Sequence, residues 1–309
     1  MVDLDTFVTL LYVSVDDFCK TELPAEPRLP GRQPSLSRSE VVTLALLEQW
    51  ATFRGERAFY RYARRHLRAA FPTLPDRGQF NRLLRAQQQA ITCFALALAT
   101  ACDAGLEEYE VLDCTAAPTR TAKRRGRGWM PGQTALGYSN RLGWFHGFRV
   151  LLAVIRTGVI TGFGFAPANE NDRALTEVFL EQRCLPTGAL PSAGTAVAQD
   201  YLADSGFAGE QCEERWRDRY GAEVHAVRQR GSLARWTEPV RRQAVGLRQV
   251  VETVNGQLLH VFRLNDDRPH HLSGFATRLA AKVALHNFCI WLNRQFGRPD
   301  LAAATLIDW

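Results

Sequence analysis

The stretch "WFHGFRVLLAVIRTGVITGFGFAPA", residues 144–168, restricts the fold more than any other part of the chain. Two apolar runs rich in Val, Ile, Leu and Phe meet at Arg156-Thr157-Gly158. Runs of this kind joined through a glycine-containing turn read as the two antiparallel strands of a hairpin. Upstream, "YEVLDCTAAP" (109–118) alternates briefly and reads as a strand whose apolar run ends at Asp113, followed by a basic loop, "TRTAKRRGRGWMPGQ". Downstream, "NENDRALTEVFLEQ" opens a helix with Asn171 as its N-cap. "GTAVAQDYLADSGF" (194–207) reads as a fourth strand running into a helix from about 208 to 220, and "AEVHAVR" (222–228) as a fifth. The remainder, Leu233 to about Val261 and His271 to Phe296, reads as helix.

Three antiparallel strands followed by crossover strands and helices make an α/β layout. The order is that of an RNase H-like mixed sheet flanked by helices, here preceded by an all-helical N-terminal domain. "SLSRSEVVTLALLEQWA" begins with Ser37-x-x-Glu40, a capping box, and continues densely apolar, as a buried helix does. "GERAFYRYARRHLRAAF" (55–71) is a second helix, and "RGQFNRLLRAQQQAITCFALALATACDA" reads as one long third helix. The expected division is a helical DNA-binding domain over 1–106, a catalytic domain over 107–296 and a tail over 297–309.

The formal charge of +6 is unevenly spread. Residues 1–110 hold 13 Lys and Arg against 14 Asp and Glu, so the surplus lies further on. Locally, though, Arg54, Arg57, Arg61, Arg64, Arg65 and Arg68 fall within 15 residues, and "TRTAKRRGRG" holds five basic residues in ten. Arginine's planar fork suits phosphate, and a sequence pI near 9.1 with clustered arginines is the footprint of a nucleic-acid binder. The candidate DNA-contacting residues are Arg57, Arg61, Arg64 and Arg65 of the second helix, with Arg120, Lys123, Arg124, Arg125 and Arg127 of the basic loop. Trp144, Phe145 and Phe148 are expected in the core of the hairpin strand. The seven scattered cysteines contain no C-x-x-C pair, which argues against a zinc knuckle or a disulfide framework. With no basic n-region and no long apolar run, neither a signal peptide nor a membrane span is expected, and the chain reads as cytoplasmic and nucleoid-associated.

Asp113 is an acid at the end of an apolar strand, where burial is costly unless the group is paired, bound to a metal or capping a turn. Glu252 lies beside a helical apolar stripe, with Arg248 one turn earlier and Asn255 three residues on. Taken alone, an exposed ion pair with Arg248, contributing about 0.3–0.5 kcal/mol, accounts for it better. In "DYLADSGF" two acids compete: Asp204 stands where the strand turns into the next helix, while Asp200 becomes the strand-end residue only if the strand stops at Gln199. His270 and His271 have no partner at ligand spacing and read as a helix-start loop.

Taken in order, "VLDCT", the hairpin with "APANENDRAL", "YLADSGF" and "RQVVETVNGQL" resemble the DDE transposases of bacterial insertion sequences, closest to the 982 group. The likeness covers roughly residues 30–290, including the N-terminal helical region. It implies an RNase H-like core in which Asp113, Asp204 and Glu252 hold two Mg²⁺ ions, with Mn²⁺ as a substitute, and in which Arg248 belongs to the same helical signature. The spacings of 91 and 48 positions between these acids leave room for the intervening strands and helices. Two basic or aromatic positions of related groups are absent, since 245 is valine and 259 is leucine. The resemblance further implies metal-dependent cleavage and strand transfer on double-stranded DNA, at terminal inverted repeats and target, by a homodimer. An RNase H-like nuclease that cuts without joining and a silent DNA-binding derivative are the alternatives.

Overall fold

The computed structural model describes all residues except 27–29, 32, 122–129, 186–190 and 228–237. In chain order the elements are β1 (Val2–Asp3), α1 (Leu4–Thr21), α2 (Arg38–Leu47), α3 (Glu56–His66), α4 (Arg77–Ala86), α5 (Gln88–Ala101), β2 (Tyr109–Thr121), β3 (Ala135–Ser139), β4 (Gly143–Val154), β5 (Ile160–Pro167), α6 (Asp172–Cys184), β6 (Asp200–Ala203), α7 (Glu210–Tyr220), β7 (Glu223–Ala226), α8 (Glu238–His260), α9 (Leu272–Gln295) and β8 (Ile307–Asp308). They form two compact units: Met1–Leu98 with Leu258–Trp309, and Ala99–Gln257. Residues 258–296, expected with the catalytic domain, therefore cluster with the N-terminal helices, because α9 is buried against them.

In the first unit, α2 starts at the capping box: Ser37 Oγ accepts from the Glu40 N–H, and Glu40 Oε2 accepts from the Ser37 N–H. Val41 to Leu47 are all buried, as in a helix with apolar groups on every side. α2 and α4 pack on α9. On α9 even Lys282 is fully buried; Asp267 at 2.9 Å supplies the opposing charge. On α3, Phe59, Tyr60 and Ala63 face inward while Arg57, Arg61, Arg64 and Arg65 are exposed. The long third helix expected from sequence is instead two, α4 and α5, separated at Gln87, whose N–H closes the end of α4 on Leu83 and Leu84.

The second unit is built on a six-stranded sheet in the order β3-β4-β2-β6-β7, with β5 also on β4. β2 and β4 are antiparallel, as are β4 and β5; β6 runs parallel to both β2 and β7. β3 and β5 share one edge of β4, β3 along Gly143–Gly147 and β5 along Phe148–Val154. This is the RNase H-like mixed sheet, with helices packed on it. Three strands differ from expectation. β2 runs on to Thr121, into the start of what reads as a basic loop, through a register shift between Pro118 and Arg120, and β3 forms in the stretch between that loop and the hairpin, where no element is expected. Gly147 sits opposite that irregularity, where a Cβ would come within 2.2 Å of the Ala117 carbonyl. The fourth strand is only Asp200–Ala203, the stretch that finds partners on both sides.

Strand alternation sorts β2 into two faces. Leu112 belongs to a core with Leu175, Phe179 and Leu180 of α6 and Trp216 of α7, so Asp113 turns to the opposite face. Phe145 and Phe148 are buried as expected, but Trp144 is 63% exposed. It points away from its buried neighbour Phe145 and packs edge-to-face on Tyr138 of β3. Among the described residues no helix is long and apolar enough to cross a membrane.

Candidate active site

The parallel ladder of β2 and β6 ends at the pair Leu112–Ala203, and the next residue on each strand is an acid, Asp113 and Asp204. Parallel register therefore sets the two carboxylates side by side at the carboxyl end of β6, where functional groups of α/β sheets collect. Asp204 caps the short turn Ser205–Phe207, its Oδ1 accepting from the Gly206 N–H at 2.7 Å. Asp113 Oδ2 accepts from Asn255 Nδ2 of α8, also at 2.7 Å. Burial, and after it the charge of Asp204, pushes the Asp113 carboxyl up to about 7, while the Arg248 guanidinium pulls the other way. Two carboxylates sharing a partly closed space behave so when positive charge is in short supply.

Asp172, first residue of α6, adds a third acid to the neighbourhood. Its Oδ1 pairs with Arg149 Nη1 of β4 at 2.5 Å, and its charge also raises Asp113. The Cys114 thiol is held well above its ordinary range by burial and then by Asp172, so it stays protonated. Between Asp172 and Asp204 stands Gly206, where a Cβ would lie 2.9 Å from a carboxylate oxygen of each.

α8 presents Arg248, Glu252 and Asn255 at i, i+4 and i+7, which is one helix face. Asn255 touches Asp113, and Arg248 acts on it electrostatically; Glu252 itself is exposed. Arg248 Nε and Asn255 Oδ1 are both buried without a hydrogen-bond partner. Among the described residues no three His, Cys, Asp or Glu side chains gather in a geometry able to hold a metal ion. The structure thus brings Asp113 and Asp204 together with Arg248 close by and leaves Glu252 outside the pair. Asp200 is the first residue of β6, at the opposite end from Asp204, and its exposed carboxylate meets His225 Nε2 at 2.7 Å.

Of the candidate DNA contacts, Lys123, Arg124, Arg125 and Arg127 lie outside the described residues. Arg120 stands across from His146, whose imidazole is pushed down by burial and then by the Arg120 charge. Asn255, Asp172 and Arg149 are the residues at the acids that the sequence motifs leave without a role there. Arg149 carried a signal, being the lone charge within the apolar run "GFRVLLAV".

A family model described as the transposase DDE domain matches residues 111–288, more than half of the 309-residue chain. No curated protein and no solved structure matches it.

Proposed function

The chain belongs to the family of the transposase DDE domain, and from that premise we propose that it cleaves DNA and joins the freed 3′ end to a target, using a divalent metal held by Asp113, Asp204 and Glu252. The juxtaposition of Asp113 and Asp204 at the end of adjacent parallel strands carries this reading. Hard carboxylate oxygens suit Mg²⁺ or Mn²⁺, and the upward push on Asp113 marks a pair that a cation would relieve. A divalent ion bound there would polarise the scissile phosphate and make an attacking water or 3′-hydroxyl a better nucleophile.

The chain's own groups prepare that site. Asn255 fixes the orientation of Asp113, and the Gly206 N–H fixes that of Asp204. Arg149 neutralises Asp172, so that the neighbouring acid does not add a full charge to the pair. The buried Nε of Arg248 offers a donor to a phosphate oxygen or to Glu252. Sharing the helix face of Arg248 and Asn255 supports Glu252 as the third acid. Its exposure supports the second reading, a derivative that binds DNA without cutting. Within the family, the order of the sequence motifs favours the 982 group of insertion sequences. Double-stranded DNA is the partner, contacted by the exposed arginines of α3 and by the basic segment after β2, and joining two ends calls for a dimer on DNA.

The test is cleavage and strand transfer on linear DNA carrying the inverted repeats that flank the gene, with and without Mg²⁺. Asp113→Asn and Asp204→Asn should each abolish both reactions while end binding persists. Undiminished cleavage by Asp204→Asn sinks the site assignment. Binding without any cleavage by the unaltered chain selects the silent derivative, and cleavage without joining selects a nuclease.

A further inference from the structure

We propose that a concave pocket in the first unit, apart from the acids, seats the phosphodiester groups of a nucleic-acid strand. The pocket has a volume of about 550 Å³ and is walled by six arginines against four carboxylates. Most of the negative charge is already committed. Glu56 accepts from Arg77 at 2.7 Å and Arg278 at 2.6 Å, and also from Asn81; Asp267 is paired with the buried Lys282. Burial disfavours the Glu48 charge and pushes its carboxyl above the usual carboxylate range, against the pull of Arg278.

The positive charge is less committed. Among the described residues neither Arg54 nor Arg85, both on the pocket wall, forms an ion pair. Arg263 is 3% exposed; its Nη2 donates to the Glu48 carbonyl at 2.9 Å, and its Nε is buried with no hydrogen-bond partner. Arg263 also holds φ at +55°, a left-handed conformation costing a non-glycine residue about 1 kcal/mol or more. A buried guanidinium on a strained backbone, with an unused donor beside a cavity, suits an anion as partner.

The wall also says which anion. The planar guanidinium matches phosphate in two-point contact. No Phe, Tyr or Trp ring lines the pocket, so a base lacks its usual stacking platform there. His270 and His271 lie on the same wall, where they add donors. The strand as source of the phosphate rests on the reading of the chain as a DNA-processing enzyme; inorganic phosphate shares the chemistry, and the test separates them.

The full chain and its Arg54→Gln/Arg85→Gln variant are titrated onto a labelled DNA duplex over a range of KCl concentrations by fluorescence anisotropy. Binding of radiolabelled inorganic phosphate is measured in parallel. The expected result is a slope of log affinity against log salt shallower by about 2, one phosphate per arginine removed. An unchanged slope overturns the proposal, and so does loss of phosphate binding with DNA binding intact, which would mark a small-anion site. Circular dichroism confirms folding, and Arg54→Gln alone, at an exposed position, serves if the double variant is unstable; its slope should fall by about 1. Asp113→Asn runs beside them: cleavage retained there defeats the catalytic reading and leaves the pocket result standing.

Discussion

Replacing Glu110 by glutamine tests how the sheet beneath the two acids is held. Glu110 is fully buried on β2, where it accepts from Arg183 Nη1 of α6 at 2.5 Å and from Thr161 of β5. Its register partner on β6, Tyr201, accepts from the same guanidinium at 3.1 Å. One buried cluster therefore ties β2, β5, β6 and α6, three residues before Asp113 on one strand and three before Asp204 on the other. Burial works against the Arg183 charge, but Glu110 and Tyr201 together outweigh it and hold the guanidinium above its ordinary range. Glutamine keeps the shape and removes the charge, leaving a buried cation without its counter-ion, a loss of about 3–5 kcal/mol. Arg183 retains the Ala193 carbonyl at 2.7 Å and the Phe179 ring 4.5 Å from its Cζ. Those contacts place the cost near the lower end, about 3 kcal/mol. Glu110→Leu combined with Arg183→Met removes both charges at once and should be far milder, within about 1 kcal/mol of the unaltered chain. Urea unfolding followed by far-UV circular dichroism measures both. A glutamine variant within about 1 kcal/mol of the original, or a double variant as unstable as the single, refutes the reasoning.

Asn255→Leu removes the donor on Asp113 and should weaken the apparent Mg²⁺ affinity in the cleavage assay about 10–100-fold; an unchanged Mg²⁺ requirement speaks against that role. Gly206→Ala places a methyl group against the Asp172 and Asp204 carboxylates and should cost about 1–3 kcal/mol, visible as a lower melting temperature together with reduced cleavage. If melting temperature and activity both survive, the acids have room to spare. Glu177 of α6 gathers donors from Arg215, Trp216 and Tyr220 of α7; burial raises its carboxyl, but these donors prevail and hold it below its ordinary 4.5. A depressed carboxylate stabilises above its unfolded value and loses that contribution as pH falls through the folded one. Glu177→Gln should therefore lower the urea midpoint at pH 7, with the gap narrowing steadily below pH 4.5; a gap constant with pH contradicts the charge argument.

The features legible in sequence are those written locally. The Ser37–Glu40 capping box and the Asn171 cap need only neighbours three residues away, and both form. The hairpin carries its turn within itself, and β4 and β5 appear as read. What escaped depends on distant partners. β3 is five residues with a single buried side chain, and it exists because β4 offers an edge. Residues 194–199 look no less strand-like than 200–203, but only the latter pair in register with β2 and β7. Arg149 and Asp172 are 23 positions apart, so their pairing is invisible to any helical or strand periodicity. The break at Gln87 has no glycine or proline to announce it. At the site, Asp113 and Asp204 could be chosen because strand ends and a Ser-Gly step are local marks. The hydrogen bond from Asn255 joins residues 142 apart.

The first unit is discontinuous: α2 and α9, which pack on each other, are separated in the chain by the whole second unit, and β1 pairs in parallel with β8, Val2 against Ile307. During synthesis the apolar faces of α2 appear early, and their cover appears only after the whole second unit. At about 5–20 residues per second that interval lasts on the order of tens of seconds. The sheet can fold before α9 has emerged, whereas the helical unit must wait for α9. A ribosome stalled before α9 would hold a formed acid-bearing sheet beside helices still exposed to chaperones.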